Sequence, residues 1–436
     1  MDNKPENPHL LYNPRRVALE VLNEVFGQSA YANIALDNAL SNSSLAEIDR
    51  SFVTALTYGT ISKKMLLDWY LQPFLKGKTK PWLHMLLLMT VYQILFMDKV
   101  PTSAAVDESV KLAKAQGGQQ TANFVNAVLR NFSRADLPGK TPNFSIKYSI
   151  PDFLVQKFIG QFGKERAVAI FESLDEPSNV SLRLIDPKAA DSVALQDTRP
   201  SEISPVGRVA EHGNFAATKE FKEGKITIQD ETSQLAALAL NAGPDDQVLD
   251  ACAAPGGKTC QIAADLTGAG IVTACDLYSH KLRLIGANAK RLHVADKVRT
   301  IKFDAAKIDK KFPAETFDKI LVDAPCSGLG LMRRKPDIKY RKEAADFANL
   351  QKIQLDILSS CAKTLKKNGI MVYSTCTLAD EENFDAVKRF LDSHPDFEQI
   401  NLVHEKPEII RDGCIFITPE QFHTDGFFIA KFRKIS

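Results

Sequence analysis

The chain has 436 residues with 55 basic and 53 acidic side chains, a formal net charge of +2, and 44% apolar against 25% charged residues. That is an ordinary globular composition, long enough for about three domains with cores of their own, and too weakly charged for nucleic-acid binding driven by overall charge. Any field that holds nucleic acid must be local. The 7 cysteines form no C-x-x-C pair and no His/Cys cluster. This argues against a disulfide framework and a zinc site, so no metal is expected, and a reducing cytoplasm fits best. Residues 1–8 lack the basic and apolar regions of a signal peptide. The longest apolar run, Trp82 to Met97, contains His84, Thr90 and Gln93 and falls short of the roughly 20 residues of a membrane span. It reads as a buried helix, and no membrane partner is expected.

From Pro14 to Phe132 apolar residues recur at helical spacing. Val17, Val21 and Val25 form one stripe, and similar stripes run around Phe52 to Ile61 and Trp82 to Phe96. An all-helical domain is predicted over 1–136. Within it, Leu95 to Pro101, Val106 to Lys114 and Asn123 to Leu129 resemble the NusB family of RNA-binding antitermination factors. The resemblance covers about the first third of the chain and implies a fold that binds RNA or ribosomal protein.

Asp136 to Asn143, rich in Pro and Gly, reads as a linker. Two helices over Pro151 to Leu174, a strand over Asn179 to Ile185 and a mixed stretch from Asp186 to Lys225 suggest a small α+β domain, 144–225, that also holds RNA. From Ile226 onward strands and helices alternate, which predicts a Rossmann-like α/β domain over 226–436 with a parallel sheet between helices. Its strands are Gln247 to Asp250, Gly270 to Asp276, Val298 to Asp304 and Lys319 to Asp323. Each ends in an aspartate, so carboxylates gather along one sheet edge. A helix from about Glu343 to Leu365 is expected to stop at Asn368-Gly369. The next buried strand, Ile370 to Cys376, ends in a thiol, and Phe427 to Phe432 reads as a late strand closing the sheet.

Asp250-Ala-Cys-Ala-Ala-Pro-Gly-Gly-Lys-Thr259 joins a strand to a helix, with glycines that let backbone approach a ligand. It lies one residue from a phosphate-binding loop, because Cys252 stands where the first glycine belongs. A P-loop ATPase with Asp323 on magnesium is therefore one reading. Against it, Asp276 and Asp304 would repel a triphosphate and suit a ribose and an adenine amine. An acid 26 positions beyond Asp250 is close to the separation seen in dinucleotide ribose binding. The ligand reads as a nucleoside without phosphates.

Asp250 to Lys258, Asp323-Ala-Pro-Cys-Ser-Gly-Leu-Gly330, Arg333 to Asp337 and Tyr373-Ser-Thr-Cys-Thr377 with Glu381-Glu-Asn383 resemble the RNA 5-methylcytosine methyltransferases that use S-adenosyl-L-methionine. With a NusB-like domain in front, the whole chain is similar to the Sun/Fmu branch, the bacterial 16S ribosomal RNA methyltransferases. One mild departure is Asp323-Ala-Pro-Cys where relatives commonly carry Asp-Pro-Pro-Cys. The resemblance implies that Cys252, Ala253, Ala254, Pro255, Gly256, Gly257 and Lys258 line the cofactor loop, with Asp276, Asp304 and Asp323 as further cofactor contacts.

The chemistry asks for the same residue types. Carbon 5 of cytosine is too poor a nucleophile to take a methyl group, so a thiolate must first add to carbon 6 and later leave. DNA cytosine methyltransferases attack from a Pro-Cys loop, which would nominate Cys326. The RNA family attacks from Thr-Cys, which nominates Cys376, while its Pro-Cys thiol assists release; Cys376 is taken as the nucleophile. Asp323 is expected to hydrogen-bond the ring nitrogen of the base. Cys260, Cys275 and Cys361 read as packing residues, Cys252 as a small loop residue, and Cys414 has no assigned role. Arg333, Arg334 and Lys335, continued by Lys339, Arg341 and Lys342, are expected to hold phosphates beside the extruded base. The expected function is cytosine C5 methylation of 16S ribosomal RNA by a monomer. The same chemistry on 23S ribosomal or transfer RNA, and a non-catalytic RNA-binding assembly factor, are the other readings.

Overall fold

The computed structural model describes residues 13–186, 195 and 197–436. The opening octapeptide and most of the first part of the mixed stretch after Asp186 lie outside the described residues. The chain forms two compact units: one runs to Phe171 and takes in Lys335–Arg341, and the other holds Glu172–Arg334 and Lys342–Ser436.

The first unit is helical. Its helices are Pro14–Gly27, Ala32–Ser41, Glu47–Ser62, Lys64–Leu71, Pro81–Phe96 and Thr102–Arg134. Pro14 sits in the first turn, where a missing N–H costs nothing, and the Asn13 side chain caps that turn by accepting from Arg15 N. The predicted stripes become the core: Val17, Val21, Leu22, Leu56 and Leu86 to Met89 are buried together. Pro81–Phe96 is apolar on nearly every side because its neighbours enclose it, with Leu86, Leu87, Leu88 and Met89 all fully buried. Among the described residues no helix is long and apolar enough to cross a membrane. The helix Thr102–Arg134 breaks at Gly118, where φ is 79°. Two more helices, Phe144–Tyr148 and Asp152–Phe162, complete this unit with the start of Lys164–Ser173.

The short segment Lys335–Arg341 is built into the helical unit by specific contacts. Asp337 Oδ2 accepts from Ala32 N at 3.3 Å, Lys339 Nζ donates to Ser62 O at 2.9 Å, and Arg341 Nη1 donates to Ser29 O at 2.8 Å. Tyr340 packs against the helical core, edge-on to Phe26, and its hydroxyl donates to Ser149 O at 3.1 Å.

The second unit holds two sheets. A smaller sheet has the order β2-β3-β1-β4, from strands β1 (Val180–Leu184), β2 (Arg199–Pro200), β3 (Gly207–Ala210) and β4 (Ile226–Ile228). The larger sheet contains β5 (Gln247–Asp250), β6 (Ile271–Asp276), β7 (Val298–Lys302), β8 (Phe317–Asp323), β9 (Leu365–Thr375), β10 (Phe397–Gln399), β11 (Ile410–Arg411), β12 (Cys414–Ile417) and β13 (Phe427–Lys434). Its order is β11-β12-β13-β9-β8-β5-β6-β7, with β10 paired to β13. Strands β5 to β9 are mutually parallel and β13 runs antiparallel to β9. The strand order reverses between β5 and β8, and that switch point is where an open α/β sheet opens a crevice for ligands. Buried Val248, Leu249, Ile320, Leu321 and Val372 give these central strands the continuous apolar runs of a sheet covered on both faces.

The Asn-Gly pair plays a different part from the one predicted. The helix Ala344–Thr364 begins at a capping box of Glu343 and Asp346 and gives way to strand at Leu365. Asn368, at φ 62°, then bends β9 where its register against β8 shifts.

Candidate active site

The loop after β5 is shaped by one buried acid and one obligatory glycine. Asp250 is fully enclosed, and its Oδ2 accepts from Thr259 Oγ1 at 2.6 Å. Burial, with Asp323 nearby, pushes its carboxyl up to about 7. Its other oxygen is buried among the loop's own atoms, where the Cys252 backbone N–H pulls the carboxyl down against that burial. Gly256, at φ 103°, starts the helix Gly257–Asp265, and a Cβ there would stand 3.0 Å from Ile285 Cα. Only glycine lets the chain turn this close to its neighbour. Above the loop lies a cavity of ≈ 300 Å³. Loop residues Cys252 to Pro255, Gly257 and Lys258 line it together with Asp323, Cys376, Asp425 and Phe427.

The loop after β8 supplies the rest. Asp323 accepts on both oxygens, from Lys258 Nζ at 2.7 Å and Ser374 Oγ at 2.7 Å. The Cys326 Sγ lies 3.3 Å from the Cys376 Sγ, and both are partly exposed. The Cys376 sulfur and burial together hold the Cys326 thiol well above its ordinary range.

Three devices keep the two cysteines together. Gly330 N donates to Cys376 O at 3.0 Å, and Gly426 N donates to Gly330 O at 2.9 Å, a passage so narrow that a Cβ on Gly330 would lie 2.0 Å from Gly426 O. Buried Glu382 accepts from Ser327 N at 2.8 Å and Gln354 Nε2 at 2.9 Å, and burial raises its carboxyl. Asn383 accepts from Thr375 Oγ1 at 2.6 Å and donates to Thr377 O at 3.0 Å. The Glu381-Glu-Asn383 stretch thus pins the cysteine loops from below.

Residues 237–433 match the family model described as 16S rRNA methyltransferase RsmB/F, and residues 12–134 match the NusB family. Over 441 aligned residues the chain is 40% identical to the probable ribosomal RNA small subunit methyltransferase B of Bacillus subtilis, covering 96% of this chain and 98% of that relative. The chain belongs to the ribosomal RNA small subunit methyltransferase B family. The corresponding protein of Proteus mirabilis is 31% identical across 97% of this chain and 99% of its own. A crystallised methyltransferase homolog protein from Pyrococcus horikoshii shares the fold at TM-score 0.58 and 28% identity, over 67% of this chain and 97% of that one.

Membership in a methyltransferase family sets the P-loop ATPase aside, and the geometry agrees. A phosphate-binding loop needs its Lys and Thr free for phosphate and magnesium, whereas here Lys258 pairs with Asp323 and the Thr259 hydroxyl turns inward to Asp250. Among the described residues no group of three or more His, Cys, Asp or Glu side chains could hold a metal ion.

The structure brings Cys252, Ala253, Ala254, Pro255, Gly257, Lys258, Asp323 and Cys376 to one cavity, with Cys326 against Cys376. Asp276 and Asp304 stand outside that cavity, at neighbouring strand ends. Asp276 Oδ1 accepts from Tyr278 N at 3.0 Å and Asp304 Oδ1 from Ala306 N at 3.1 Å. Cys260, Cys275 and Cys361 are buried, as packing residues should be, and so is Cys414.

The basic cluster makes contacts within the protein. Arg333, with a side chain only 2% exposed, donates to Ser173 O at 2.9 Å and Pro419 O at 2.7 Å. Arg334 lies 2.8 Å from Asp230 and 2.9 Å from Asp425. Both guanidiniums contact the protein's own carbonyls and carboxylates, and so do Lys339 and Arg341; Arg334, with a side chain 29% exposed, and Lys335 are both partly exposed. Sequence reasoning missed Asp230 and Asp425 as cavity residues. A faint signal existed in the Asp425-Gly-Phe-Phe run at the start of the last long strand.

Proposed function

We propose that this enzyme methylates carbon 5 of cytosine in 16S ribosomal RNA, using S-adenosyl-L-methionine and a transient covalent adduct between Cys376 and carbon 6. The observation that carries the reading is the Cys326–Cys376 pair, two sulfurs 3.3 Å apart and partly exposed beside the Asp250 loop. One thiol adds and departs, and the other stays protonated beside it.

The loop suits the cofactor on two counts: the tight turn at Gly256 and the cavity lined by Ala253 to Pro255, Gly257 and Lys258. When bound, S-adenosyl-L-methionine supplies an electrophilic methyl group. Asp276 and Asp304, at the ends of the next two strands, extend the same edge towards a ribose and an adenine. Within the cavity the Cys376 thiolate adds to carbon 6 and makes carbon 5 nucleophilic. After methyl transfer the carbon 5 proton passes to water, the carbon 5 to carbon 6 double bond re-forms, and the electron pair of the broken C–S bond returns to Cys376. The Cys326 S–H donates to that departing sulfur and stabilises it. Asp323, held by Lys258 and Ser374, lines the same cavity and is the group proposed to meet the ring nitrogen of the base as charge builds there. The helical unit supports selection of the RNA, because a pocket for one extruded base cannot choose among many. Arg334 and Lys335, both partly exposed, are the candidates for phosphate contacts beside the base.

The test is transfer of labelled methyl from S-adenosyl-L-methionine to protein-free 16S RNA lacking the modification, followed by nucleoside analysis. Label in 5-methylcytidine is expected. Label only in 23S or transfer RNA would overturn the substrate, and label in no RNA would overturn the reaction.

A further inference from the structure

The two cysteines of the site can undergo a chemistry that methyl transfer does not use. Their sulfurs stand 3.3 Å apart and both residues are partly exposed, whereas Cys260, Cys275, Cys361 and Cys414 are buried. The buried thiols meet other groups: Cys275 Sγ donates to Phe303 O at 3.3 Å, and Cys414 Sγ accepts from Gln399 Nε2 at 3.6 Å. For Cys326 and Cys376, the roughly 2.05 Å of a disulfide asks for a closure of about 1.2 Å.

The backbone keeps the two sulfurs at that range. Gly330 N donates to Cys376 O at 3.0 Å, and Ser327 N, next to Cys326, donates to Glu382. On the other side of Cys326, Pro325 O accepts from Gln354 Nε2 at 3.0 Å. Each thiol is therefore held as the other's nearest reaction partner, which raises its effective concentration far above that of any thiol in solution. Cys376 also lines the cavity of ≈ 300 Å³, which has room for a small oxidant.

We propose that Cys326 and Cys376 are an oxidative modification site: a small peroxide converts them to a reversible disulfide, and methyl transfer stops. The loss of activity rests on Cys376 being the nucleophile, as read above. The Cys376 thiolate attacks one peroxide oxygen, the O–O bond breaks, and the sulfur becomes a sulfenic acid while hydroxide leaves and is protonated to water. The Cys326 sulfur then attacks the Cys376 sulfur, the S–O bond breaks, and the departing hydroxide takes the Cys326 proton as a second water. Two thiols lose two electrons, and one peroxide is reduced to two waters. A dithiol reverses the step by exchange, returning two electrons and two protons to the pair. With both sulfurs in one bond, neither can add to carbon 6 or assist departure from it. The bond also protects Cys376, because a sulfenic acid with no thiol beside it goes on to sulfinic acid, which thiols do not reduce.

The experiment treats the reduced full-length protein with hydrogen peroxide in the absence of RNA and maps its cysteines by mass spectrometry of unreduced peptides. Methyl transfer to 16S RNA is read before treatment, after it, and after dithiothreitol, and a cooperative thermal melt checks that the oxidised protein is folded. A Cys326–Cys376 disulfide is expected, with activity falling at least about 20-fold and returning to within about 2-fold on reduction. In Cys326→Ser the Cys376 peptide should instead gain two or three oxygens that dithiothreitol does not remove. Thiols that both stay free in the wild type, or a Cys376 that passes to sulfinic acid without the disulfide, would overturn the modification site and leave the methylation reading standing. A mapped disulfide in a protein that still transfers methyl would overturn the switch and Cys376 as nucleophile. A reduced protein that methylates no RNA would overturn the underlying reading, and the switch with it.

Discussion

The Cys326 Sγ lies 3.3 Å from the Cys376 Sγ, beyond the roughly 2.05 Å of a disulfide bond and within reach of a thiol hydrogen bond. The pair divides the labour of addition and departure, so the two substitutions should fail differently. Cys376→Ala should lose at least about 1,000-fold in methyl transfer and form no adduct. Cys326→Ala should still add to RNA but release it slowly, so that a protein–RNA species survives denaturing electrophoresis. Equal behaviour of the two variants on that gel would contradict the division.

Ser374 gives Asp323 one of its two hydrogen bonds, at 2.7 Å. Ser374→Ala removes a bond to a charged group, a change of about 1.5–2 kcal/mol. The melting temperature should drop by about 3–6 °C by calorimetry, and methyl transfer should fall in single-turnover kinetics as Asp323 loses its support.

Asp250 makes stability depend on pH in a defined direction. Between the ordinary carboxyl range and about 7, the folded protein holds a proton that the unfolded chain has released, so stability falls as pH rises through that window. Asp250→Asn removes the titration and keeps an acceptor for Thr259. At pH 8 the variant should melt about 2–6 °C higher than the wild type, and the gap should close below about pH 4.

Tyr340 tests the segment that belongs to the helical unit. Tyr340→Ala deletes a ring set 5.9 Å from Phe26 and leaves Ser149 O without its partner. Unfolding of the helical unit, followed by hydrogen exchange in the full-length protein, should become easier by about 3 kcal/mol.

Much of this was legible because the signals were local. Apolar runs ending in Asp250, Asp323 and Cys376 announced strands that deliver side chains to one sheet edge, and the stripe of Val17, Val21 and Val25 announced a helix face. What escaped the sequence was decided by partners far along the chain. Arg334 reads as a phosphate ligand, and nothing in the sequence shows its ion pairs with Asp230, 104 positions away, and with Asp425. Charge runs say where cations cluster, not which way they turn. The Asn368-Gly369 pair misled for a related reason: a left-handed residue serves a strand bulge as well as a helix end, and only the pairing of β9 with β8 decides between them.

The segment Lys335–Arg341 makes the helical unit discontinuous in sequence. A protein cut after residue 136 would lack the carboxylate that receives Ala32 N and the phenol that fills the space beside Phe26 and Ser149. Such a fragment would expose apolar surface that the complete chain covers. The helical region is therefore not a freestanding module that could be lost or exchanged at one junction, because its last structural piece is encoded immediately after the cysteine loop.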